Sequence, residues 1–259
     1  MTHILCISNQ KGGVGKTTTA INLSAALAVS EKQTLLVDCD PQANATTGIG
    51  IDKKRIEKTL YHGLIGGVDP EQLIVDSEIA MLKVIPSRVE LIGFEVEMMS
   101  APERESVLKK MLSRIKTPFE YIILDCPPSL SLLTINAMAA ADSLLIPLQC
   151  EFFALEGLGQ LLQTVKRIKQ QANPRLKIAG VLLTMFDTRT NLSHQVAEEA
   201  ERYFKHLVFK TTIPRNVRLG EAPSFGKPIL LYDATSTGAI SYFNLAKEIM
   251  NSRLSSKTT

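Results

Sequence analysis

The stretch Ser8-Asn9-Gln10-Lys11-Gly12-Gly13-Val14-Gly15-Lys16-Thr17-Thr18 lies between a short apolar run, residues 4–7, and a helix-like segment, residues 19–28. A strand, a glycine-rich turn and a helix in this order are the context that a phosphate-binding loop requires. Glycines let the backbone turn its N–H groups inward without Cβ clashes, and the helix adds the positive end of its dipole. The stretch therefore predicts nucleotide binding by residues 11–18, with Lys16 on the terminal phosphates and the Thr17 hydroxyl on Mg²⁺.

One position departs from the standard loop pattern G-x-x-x-x-G-K-[ST]. Gln10 stands where the first glycine is expected, and a second lysine, Lys11, follows it. The alternative is a glycine-rich turn that happens to end in Lys-Thr, but it does not account for both the preceding strand and the following helix. We therefore interpret the stretch as a variant phosphate-binding loop.

The composition indicates a folded α/β protein of a reducing compartment. The chain has 259 residues, of which 45% are hydrophobic, and this is enough for a sizeable core. It contains no run of 18 apolar residues and no charged–apolar–small pattern at its start, so we expect neither a membrane span nor secretion. The four cysteines form no C-x-x-C pair, which argues against a zinc site and a disulfide framework.

Charge is distributed unevenly along the chain, although the formal net charge is only +3. From Gln160 onward there are 15 Lys and Arg against 7 Asp and Glu, whereas the residues before it hold 14 against 19. A basic half permits a face for an anionic polymer such as nucleic acid. Ordinary solvated helix faces explain the charge equally well, so charge alone does not decide between the two.

Three aspartates follow apolar runs that predict buried parallel strands. Asp38 and Asp40 come after residues 35–37, and Asp125 comes after residues 121–124. Ligands of open α/β sheets bind at the carboxyl ends of the strands, where these carboxylates would lie. Asp38 and Asp40 can hold metal-bound water and the attacking water, unless they are solvated loop carboxylates. Asp125 has the Walker B arrangement, in which an aspartate anchors Mg²⁺ through its water shell.

Strands and helices alternate through the rest of the chain. This alternation predicts one doubly wound α/β domain over residues 1–259, with a mostly parallel sheet, helices on both faces and a short flexible tail at about 252–259. The small, polar residues 43–50 have the composition of a mobile switch segment. The later predicted strands are 81–86, 142–148, 177–184 and 211–214, and the later predicted helices are 56–64, 101–115, 154–171, 191–204 and 238–251.

Together these motifs resemble those of the ParA/MinD ATPases. The segment Lys11-Gly-Gly-Val-Gly-Lys-Thr-Thr18 is similar to the deviant Walker A box of that family, whose hallmark is the early lysine. The resemblance to the ParA/Soj branch, which partitions chromosomes and plasmids, is specific and runs from Ile4 to about Ala246. It is carried by Asp38-Cys-Asp-Pro-Gln42, Asp125-Cys-Pro-Pro128 and Ile213-Pro-Arg-Asn-Val-Arg-Leu-Gly-Glu-Ala-Pro223.

The resemblance implies an ATP-driven cycle with Mg²⁺ as cofactor, in which two ATP-bound subunits form a homodimer with both nucleotides at the interface. Lys11 would reach the partner's phosphates and stabilise charge there, as an arginine finger does. Lys16 and Thr17 would act within their own subunit, on phosphate and magnesium. Pro214 and Asn216 lie in the segment that borders the adenine in relatives.

The resemblance also assigns roles to the acidic residues. Asp40 matches the switch aspartate that positions the hydrolytic water. Asp38 and Asp125 match the acidic groups that support the magnesium shell. Glu151 matches a position near the dimer interface.

The family's ATP-bound dimer binds DNA without sequence preference, through basic residues of both subunits. Arg189 and Arg218 match that role best, each with a local salt bridge or helix cap as the alternative, and Lys205, Lys210 and Lys227 are further candidates. Such binding suits a cytoplasmic, nucleoid-associated protein and weakens steeply with salt. In this family, a ParB-type protein bound to centromere-like sites stimulates hydrolysis.

Three other functions use the same kind of loop. The nearest alternative is a MinD-like membrane-associated positioning ATPase, but residues 251–259 hold one bulky apolar residue, too few for a membrane-binding helix. An iron–sulfur reductase needs cysteines at a dimer axis, whereas Cys126 lies between Asp125 and two prolines. A metabolic kinase or ligase needs a pocket for a small acceptor, and the sequence shows none.

Overall fold

The computed structural model describes residues 2–151 and 158–255, within which seven strands form one sheet. The strands are β1 (His3–Ile7), β2 (Thr34–Asp38), β3 (Val75–Asp76), β4 (Leu82–Ile85), β5 (Tyr121–Asp125), β6 (Ser143–Gln149) and β7 (Lys177–Thr184). Their order across the sheet is β3-β4-β2-β5-β1-β6-β7. Every neighbouring pair is parallel except β3 and β4, which are antiparallel, so the predicted mostly parallel sheet is confirmed.

Helices cover both faces of this sheet. They are α1 (Lys16–Val29), α2 (Asn44–Gly48), α3 (Leu60–Leu64), α4 (Ile92–Glu97), α5 (Val107–Leu112), α6 (Leu132–Ala140), α7 (Leu158–Gln171), α8 (Asn191–Phe204), α9 (Val217–Glu221), α10 (Ile229–Tyr232) and α11 (Thr237–Ser255). Because successive strand residues point to opposite faces, Leu5 and Ile7 share a core with α1 and α11, whereas Cys6 belongs to the other core, with α6 and α7.

The three central strands end at the same level. In the parallel register Ile7 of β1 pairs with Asp125 of β5, and Asp125 pairs with Asp38 of β2. The loops that follow these strands therefore leave the sheet side by side. This places Asp125, at the end of β5, between the glycine-rich loop that follows β1 and the acidic segment that follows β2.

Two predicted helices are shorter than expected. The helix predicted at 56–64 begins only at Leu60, because the side chains of Thr59 and His62 form a capping box there. The helix predicted at 101–115 is reduced to α5, preceded by a short 3₁₀ turn. Glu103 has a left-handed φ of +54°, which a continuous right-handed helix does not allow.

The strand predicted at 211–214 does not form. The amides of Lys210 and Thr211 donate to the Glu248 carboxylate at 2.8 and 3.1 Å instead of to a neighbouring strand. Pro214 forms an isolated bridge with Phe186. The carboxylate of a residue in α11 therefore accepts from amides that would otherwise be available to pair with a neighbouring strand.

The ends of two further helices also differ from the prediction. For the helix predicted at 154–171, residues 158–171 are helical and residues 154–157 lie outside the described ranges. The last helix continues to Ser255, so residues 252–255 of the predicted flexible tail are helical, and 256–259 lie outside the described ranges. Among the described helices, none combines the length and apolar character needed to cross a membrane.

Candidate functional site

Residues 8–15 connect β1 to α1 in the conformation of a phosphate-binding loop. Gly13 and Gly15 have φ angles of +74° and +86°, left-handed values that residues with a Cβ rarely adopt. Gly15 is the N-cap residue of α1, whose first turn has neither a side-chain cap nor an acidic residue. The amides of this turn are therefore available to an anion.

Two polar side chains hold the loop against the sheet. The Thr184 hydroxyl, at the end of β7, donates to the Val14 carbonyl oxygen at 2.9 Å. The Asn9 carboxamide donates to the Pro147 carbonyl oxygen at 2.7 Å and accepts from the Lys11 amide at 3.1 Å. Sequence reasoning missed Asn9 and Thr184 because their partners lie 138 and 170 residues away along the chain.

Lys16 points its amine back into the loop. The side chain is buried, and Nζ donates to the Lys11 carbonyl oxygen at 2.9 Å. Burial lowers the pKa of the Lys16 amine, and the charges of Asp125 and Asp40 oppose this shift. The loop thus encloses a cation at the place where the sequence predicts terminal phosphates.

Asp125 ends β5 and is completely buried between β1 and β2. Within the part of the chain that the structure describes, neither carboxylate oxygen accepts a hydrogen bond of good geometry. Burial raises the pKa of Asp125 well above its ordinary value, the charge of Asp38 adds to the rise, and the nearby Thr17 hydroxyl opposes it. A buried carboxylate without donors is costly, and a hydrated divalent cation supplies both charge and donors. The predicted magnesium therefore fits the residues present.

Replacing Asp125 by asparagine is expected to stabilise the protein without nucleotide. The change removes an unpartnered buried charge and keeps the volume of the side chain similar. We expect the free energy of unfolding to increase by about 1–3 kcal/mol, and Tm to rise by about 2–4 °C for each kcal/mol. Because the pKa of Asp125 is raised in the folded state, the advantage of asparagine grows as the pH rises above about 4, the ordinary pKa of aspartate. Thermal unfolding at about pH 5 and about pH 8 measures this difference.

The same variant is expected to lose the extra thermal stabilisation that Mg²⁺ adds to nucleotide binding. Asp76→Asn is the control, since Asp76 is 81% exposed and lies on the edge strand β3. A lower Tm for Asp125→Asn in the absence of nucleotide would contradict this interpretation of the buried carboxylate.

Asp38 is also buried at a strand end, but its surroundings differ from those of Asp125. Oδ1 accepts from the Asp40 amide at 3.1 Å, and Oδ2 accepts from the amide and the hydroxyl of Thr46 at 2.8 and 2.7 Å. Burial raises the pKa of Asp38 to about 6, and these hydrogen bonds oppose the rise. Its predicted part in the magnesium shell stays a prediction.

Asp40 lies on the wall of a cavity of about 280 Å³ beside the loop. Its side chain is only 7% exposed, and Oδ1 accepts from the Gln42 amide at 2.9 Å. Asn44 and Pro128, which the sequence did not single out, line the same cavity. The remaining lining residues are Gly12, Gly13, Gly15, Lys16, Thr17, Thr18 and Met185.

A second cavity, of about 230 Å³, adjoins the first and shares Gly15, Thr18 and Met185 with it. Pro214 and Asn216 line it, as expected for a segment that borders a base. The Asn216 amide group donates to the Thr237 hydroxyl at 2.8 Å, and its oxygen accepts from the Arg218 amide at 2.8 Å. Asn216 therefore caps α9 as well as lining the cavity. The other lining residues are Thr184, Ile213, Arg215, Leu219, Gly220 and Tyr242.

Met185 was missed by sequence reasoning, although it lines both cavities. It directly follows β7 and has a left-handed φ of +51°, which is unusual for a residue with a long side chain. An unfavourable backbone conformation of this kind is often found at functional sites. A methionine in a sequence carries no sign of its φ angle, so no pattern could have found it.

Lys11 does not line either cavity. Its Nζ lies 3.7 Å from Glu151 Oε2, and Arg215 Nη2 lies 3.8 Å from the other oxygen of the same carboxylate. The Lys11 and Glu151 side chains are 38% and 44% exposed. The structure thus brings together the two residues that the sequence assigned to a dimer interface, at the surface of one subunit.

The two predicted DNA-binding arginines lie on the surface and form ion pairs. Arg189, 85% exposed, forms two hydrogen bonds to Asp187, with Nε–Oδ1 2.9 Å and Nη2–Oδ2 2.7 Å. These contacts hold the pKa of Asp187 well below its ordinary value. Arg218, 56% exposed, pairs with Glu221 at 3.0 Å and with Asp233 at 3.7 Å. The remaining candidates are all exposed: Lys205, Lys210 and Lys227.

The parallel sheet, the glycine loop and the aspartates at the strand ends define an α/β protein of the P-loop class. A family model described as an AAA domain matches residues 2–178. The chain is 56% identical over 248 residues to the chromosome partitioning protein ParA of Myxococcus xanthus (strain DK1622), covering 96% of this chain and 88% of that protein. It is 54% identical over 249 residues to the sporulation initiation inhibitor protein Soj of Bacillus subtilis (strain 168), covering 96% and 98%. The chain belongs to the ParA/Soj family.

A solved structure with a similar fold is cobyrinic acid a,c-diamide synthase from Mycobacterium smegmatis with bound ADP and magnesium. The TM-score is 0.84 and the sequence identity 35%, over 95% of this chain and 93% of that chain. The fold of this family therefore also occurs in a synthase.

Proposed function

We propose that this chain is a Mg²⁺-dependent ATPase that partitions DNA, and that its whole length acts as one P-loop domain. ATP binding forms a homodimer that binds DNA without sequence preference. A ParB-type partner stimulates hydrolysis, which releases the DNA, so the protein works in the cytoplasm on the nucleoid. The names of the 56% and 54% identical relatives support partitioning, and the ADP and magnesium of the M. smegmatis structure support the nucleotide and the metal.

The observation that carries this proposal is the buried carboxylate of Asp125, whose oxygens accept no hydrogen bond of good geometry from the described residues and which lies close to the uncapped first turn of α1. Thr17 and Asp125 are the residues that would hold a hydrated magnesium ion, which would neutralise charge on the phosphates of the nucleotide when bound. Lys16 binds the terminal phosphates from inside the loop, and Asp40 orients the attacking water from the cavity wall.

Lys11 supports the dimer. Its amine lies at the surface beside Glu151 and outside the cavity that holds Lys16 and Asp40. A cation placed there contributes to phosphate chemistry only when a second subunit faces it. A lysine that enters the partner's site stabilises charge on the transferred phosphoryl group, as an arginine finger does.

DNA co-sedimentation in MgATP, MgADP and no nucleotide tests the proposal, with gel filtration under the same conditions. We expect a dimer and DNA binding with MgATP, and a monomer that does not sediment with DNA in the other two conditions. ATP hydrolysis is then measured with DNA and with a ParB-type protein. A monomer in all three conditions would contradict the proposal.

Replacing Arg189 by alanine is expected to weaken DNA binding and to leave the ATP-dependent dimer intact. Each phosphate contact contributes about 0.9 to the slope of log affinity against log salt concentration, so losing one contact per subunit lowers the slope of a dimer by about two. Affinity should fall by about the same factor for unrelated DNA sequences, because phosphate contacts carry no sequence information. Binding measured at several salt concentrations gives the slope.

Arg55→Ala is the matched control for this prediction. Arg55 is 89% exposed and pairs with Asp52 at 3.4 Å, much as Arg189 pairs with Asp187, but it lies far from the predicted DNA residues in the sequence. Equal salt slopes for Arg189→Ala and the wild type would remove Arg189 from the DNA surface.

A membrane-associated positioning ATPase remains the alternative function. Its membrane contact would use apolar residues of α11, but Leu245 and Ile249 of that helix are 0% and 5% exposed and pack in the core below α1. Among residues 237–252 of that helix, Ile240 is the one large apolar side chain that is exposed, at 52%, and a single side chain does not form a membrane-binding face. Co-sedimentation with anionic liposomes in MgATP distinguishes the two functions, since clear binding favours the membrane.

The M. smegmatis structure raises a synthase as a second candidate. Sequence identity favours partitioning, because it is 54–56% to the ParA and Soj relatives and 35% to the synthase. Stimulation of ATP hydrolysis by DNA together with a ParB-type protein is expected only for the partitioning ATPase.

A further inference from the structure

The Asp38 carboxylate is bonded on both oxygens by the chain segment that follows it. Oδ1 accepts from the Asp40 amide, and Oδ2 accepts from both the amide and the hydroxyl of Thr46. Asp38 and Thr46 are both 0% exposed, so water does not compete for these hydrogen bonds. Three donors from its own chain therefore stabilise this buried charge.

The Thr46 hydroxyl links this arrangement to the segment that follows β4, the neighbour of β2 in the sheet. It donates to Asp38 and accepts from the Ser87 amide at 3.0 Å, just after the end of β4. Because the hydroxyl has one proton, donating it to Asp38 leaves the oxygen lone pairs for Ser87. Its orientation is fixed from both sides.

The same carboxylate caps α2. Ala43, the N-cap residue of that helix, has a left-handed φ of +55° and no side chain that can accept a hydrogen bond. Thr46 is the third residue of the helix, and an amide at that position needs an acceptor from outside the helix. Asp38 supplies this acceptor, so a single side chain holds the Asp40 amide and the start of α2.

We propose that Asp38 is a positioning residue, which together with Thr46 holds Asp40 in place for hydrolysis, and that Asp38 does not belong to the magnesium shell. The inference rests on the proposed ATPase function, because Asp38 acts through Asp40. It follows from the contrast with Asp125, whose two oxygens accept no hydrogen bond of good geometry from the described residues, whereas donors of the same chain occupy both oxygens of Asp38. The Asp40 side chain in turn accepts from the Gln42 amide. Hydrogen bonds therefore fix both the backbone amide and the carboxylate of Asp40.

Three variants and a matched control test this role. Thr46→Val removes the hydroxyl at similar volume, Thr46→Ser keeps it, and Asp38→Asn takes away one acceptor. Thr47→Val is the control, since Thr47 is the next residue of α2, is exposed, and its hydroxyl donates only to the Ala43 carbonyl oxygen of its own helix at 3.0 Å.

Two measurements are made on each protein. Amide hydrogen exchange over residues 38–47 without nucleotide reports whether the hydrogen bonds to Asp38 and Thr46 keep the backbone of this segment in place. Binding of a fluorescent ATP analogue at increasing Mg²⁺, together with kcat and KM for ATP, separates metal binding from hydrolysis. Asp40→Ala is combined with Thr46→Val as a double mutant.

Thr46→Val and Asp38→Asn are expected to exchange about tenfold faster over this segment and to lose about tenfold or more in kcat. KM and the Mg²⁺ concentration for half-saturation should stay within about twofold, because metal and phosphate contacts are unchanged. Thr46→Ser should restore both quantities, and Thr47→Val should behave as wild type. In the Asp40→Ala background Thr46→Val should cause no further loss of kcat, since both changes act on one group.

An increase of about tenfold in the Mg²⁺ half-saturation of Asp38→Asn, with Thr46→Val unaffected, would make Asp38 a metal ligand and overturn the inference. A full additional loss of kcat in the double mutant would also overturn it. If the wild type hydrolyses no ATP, the proposed function fails, and the amide exchange rates alone test whether Asp38 and Thr46 keep residues 38–47 in place. Unchanged exchange rates in Thr46→Val and Asp38→Asn would then reject the positioning role of Asp38.

Discussion

Lys16→Ala is expected to lower the affinity for MgATP by about 100-fold or more and to abolish the ATP-dependent dimer. The buried amine is the cation inside the loop, and hydrogen bonds to charged groups are worth about 1.5–3 kcal/mol each, so the loss of one or two gives this factor. The dimer is lost because the nucleotide forms part of its interface in the proposed cycle. Calorimetric titration and gel filtration with MgATP measure the two effects.

The same variant should fold without loss of stability. Burial lowers the pKa of the Lys16 amine, which means that the fold holds this charge at a cost. Lys53→Ala is the control, because the Lys53 amine donates to the Gln42 carbonyl oxygen at 3.3 Å and lies outside the loop. An ATP dimer that survives Lys16→Ala, in a protein with normal thermal unfolding, would contradict the assignment of the loop.

Asp40→Ala is expected to trap the ATP-bound dimer on DNA. Without the carboxylate the attacking water loses its orienting acceptor, and removal of such a group lowers kcat by about 100-fold or more. ATP binding should change little, since the loop amides, Lys16 and Thr17 remain in place. Single-turnover hydrolysis and the lifetime of the complex on DNA are the measurements.

Asp52→Ala is a geometrically matched control for Asp40→Ala. Asp52 Oδ1 accepts from the amide two residues ahead at 3.0 Å, as Asp40 Oδ1 does at 2.9 Å, but Asp52 is 53% exposed and lies outside the cavity. Any loss of turnover caused by breaking such a turn would appear in both variants. Rapid turnover in Asp40→Ala would remove Asp40 from the mechanism.

Much of the site could be predicted from the sequence because its motifs are local. An apolar run followed by glycines and a lysine specifies a strand, a turn and a helix, and the structure confirms all three within residues 3–29. The same holds for the run that ends in Asp125, since a buried parallel strand presents its last residue at the ligand-binding edge.

The predictions that were wrong depended on contacts with distant parts of the chain. The strand expected at 211–214 is absent because Glu248 of α11 accepts hydrogen bonds from the Thr211 amide and from the Lys210 amide just before it. A hydrophobic pattern describes which side of a segment is buried, but not which side chain will compete for its hydrogen bonds. The helix expected at 101–115 is interrupted at Glu103, whose left-handed φ no pattern of apolar residues could show.

The residues of the phosphate-binding loop and the positions of the strand-end carboxylates follow from spacing along one strand and one turn, so the amino-acid sequence is enough to predict them. What the two buried carboxylates do depends on the folded chain. Asp125 accepts no hydrogen bond of good geometry from the described residues, whereas Asp38 accepts one from the Asp40 amide and two from Thr46, which α2 brings to the end of β2. The physical reason is that burial and hydrogen bonding depend on neighbours across the fold, and two aspartates at strand ends are alike in sequence until those neighbours are in place.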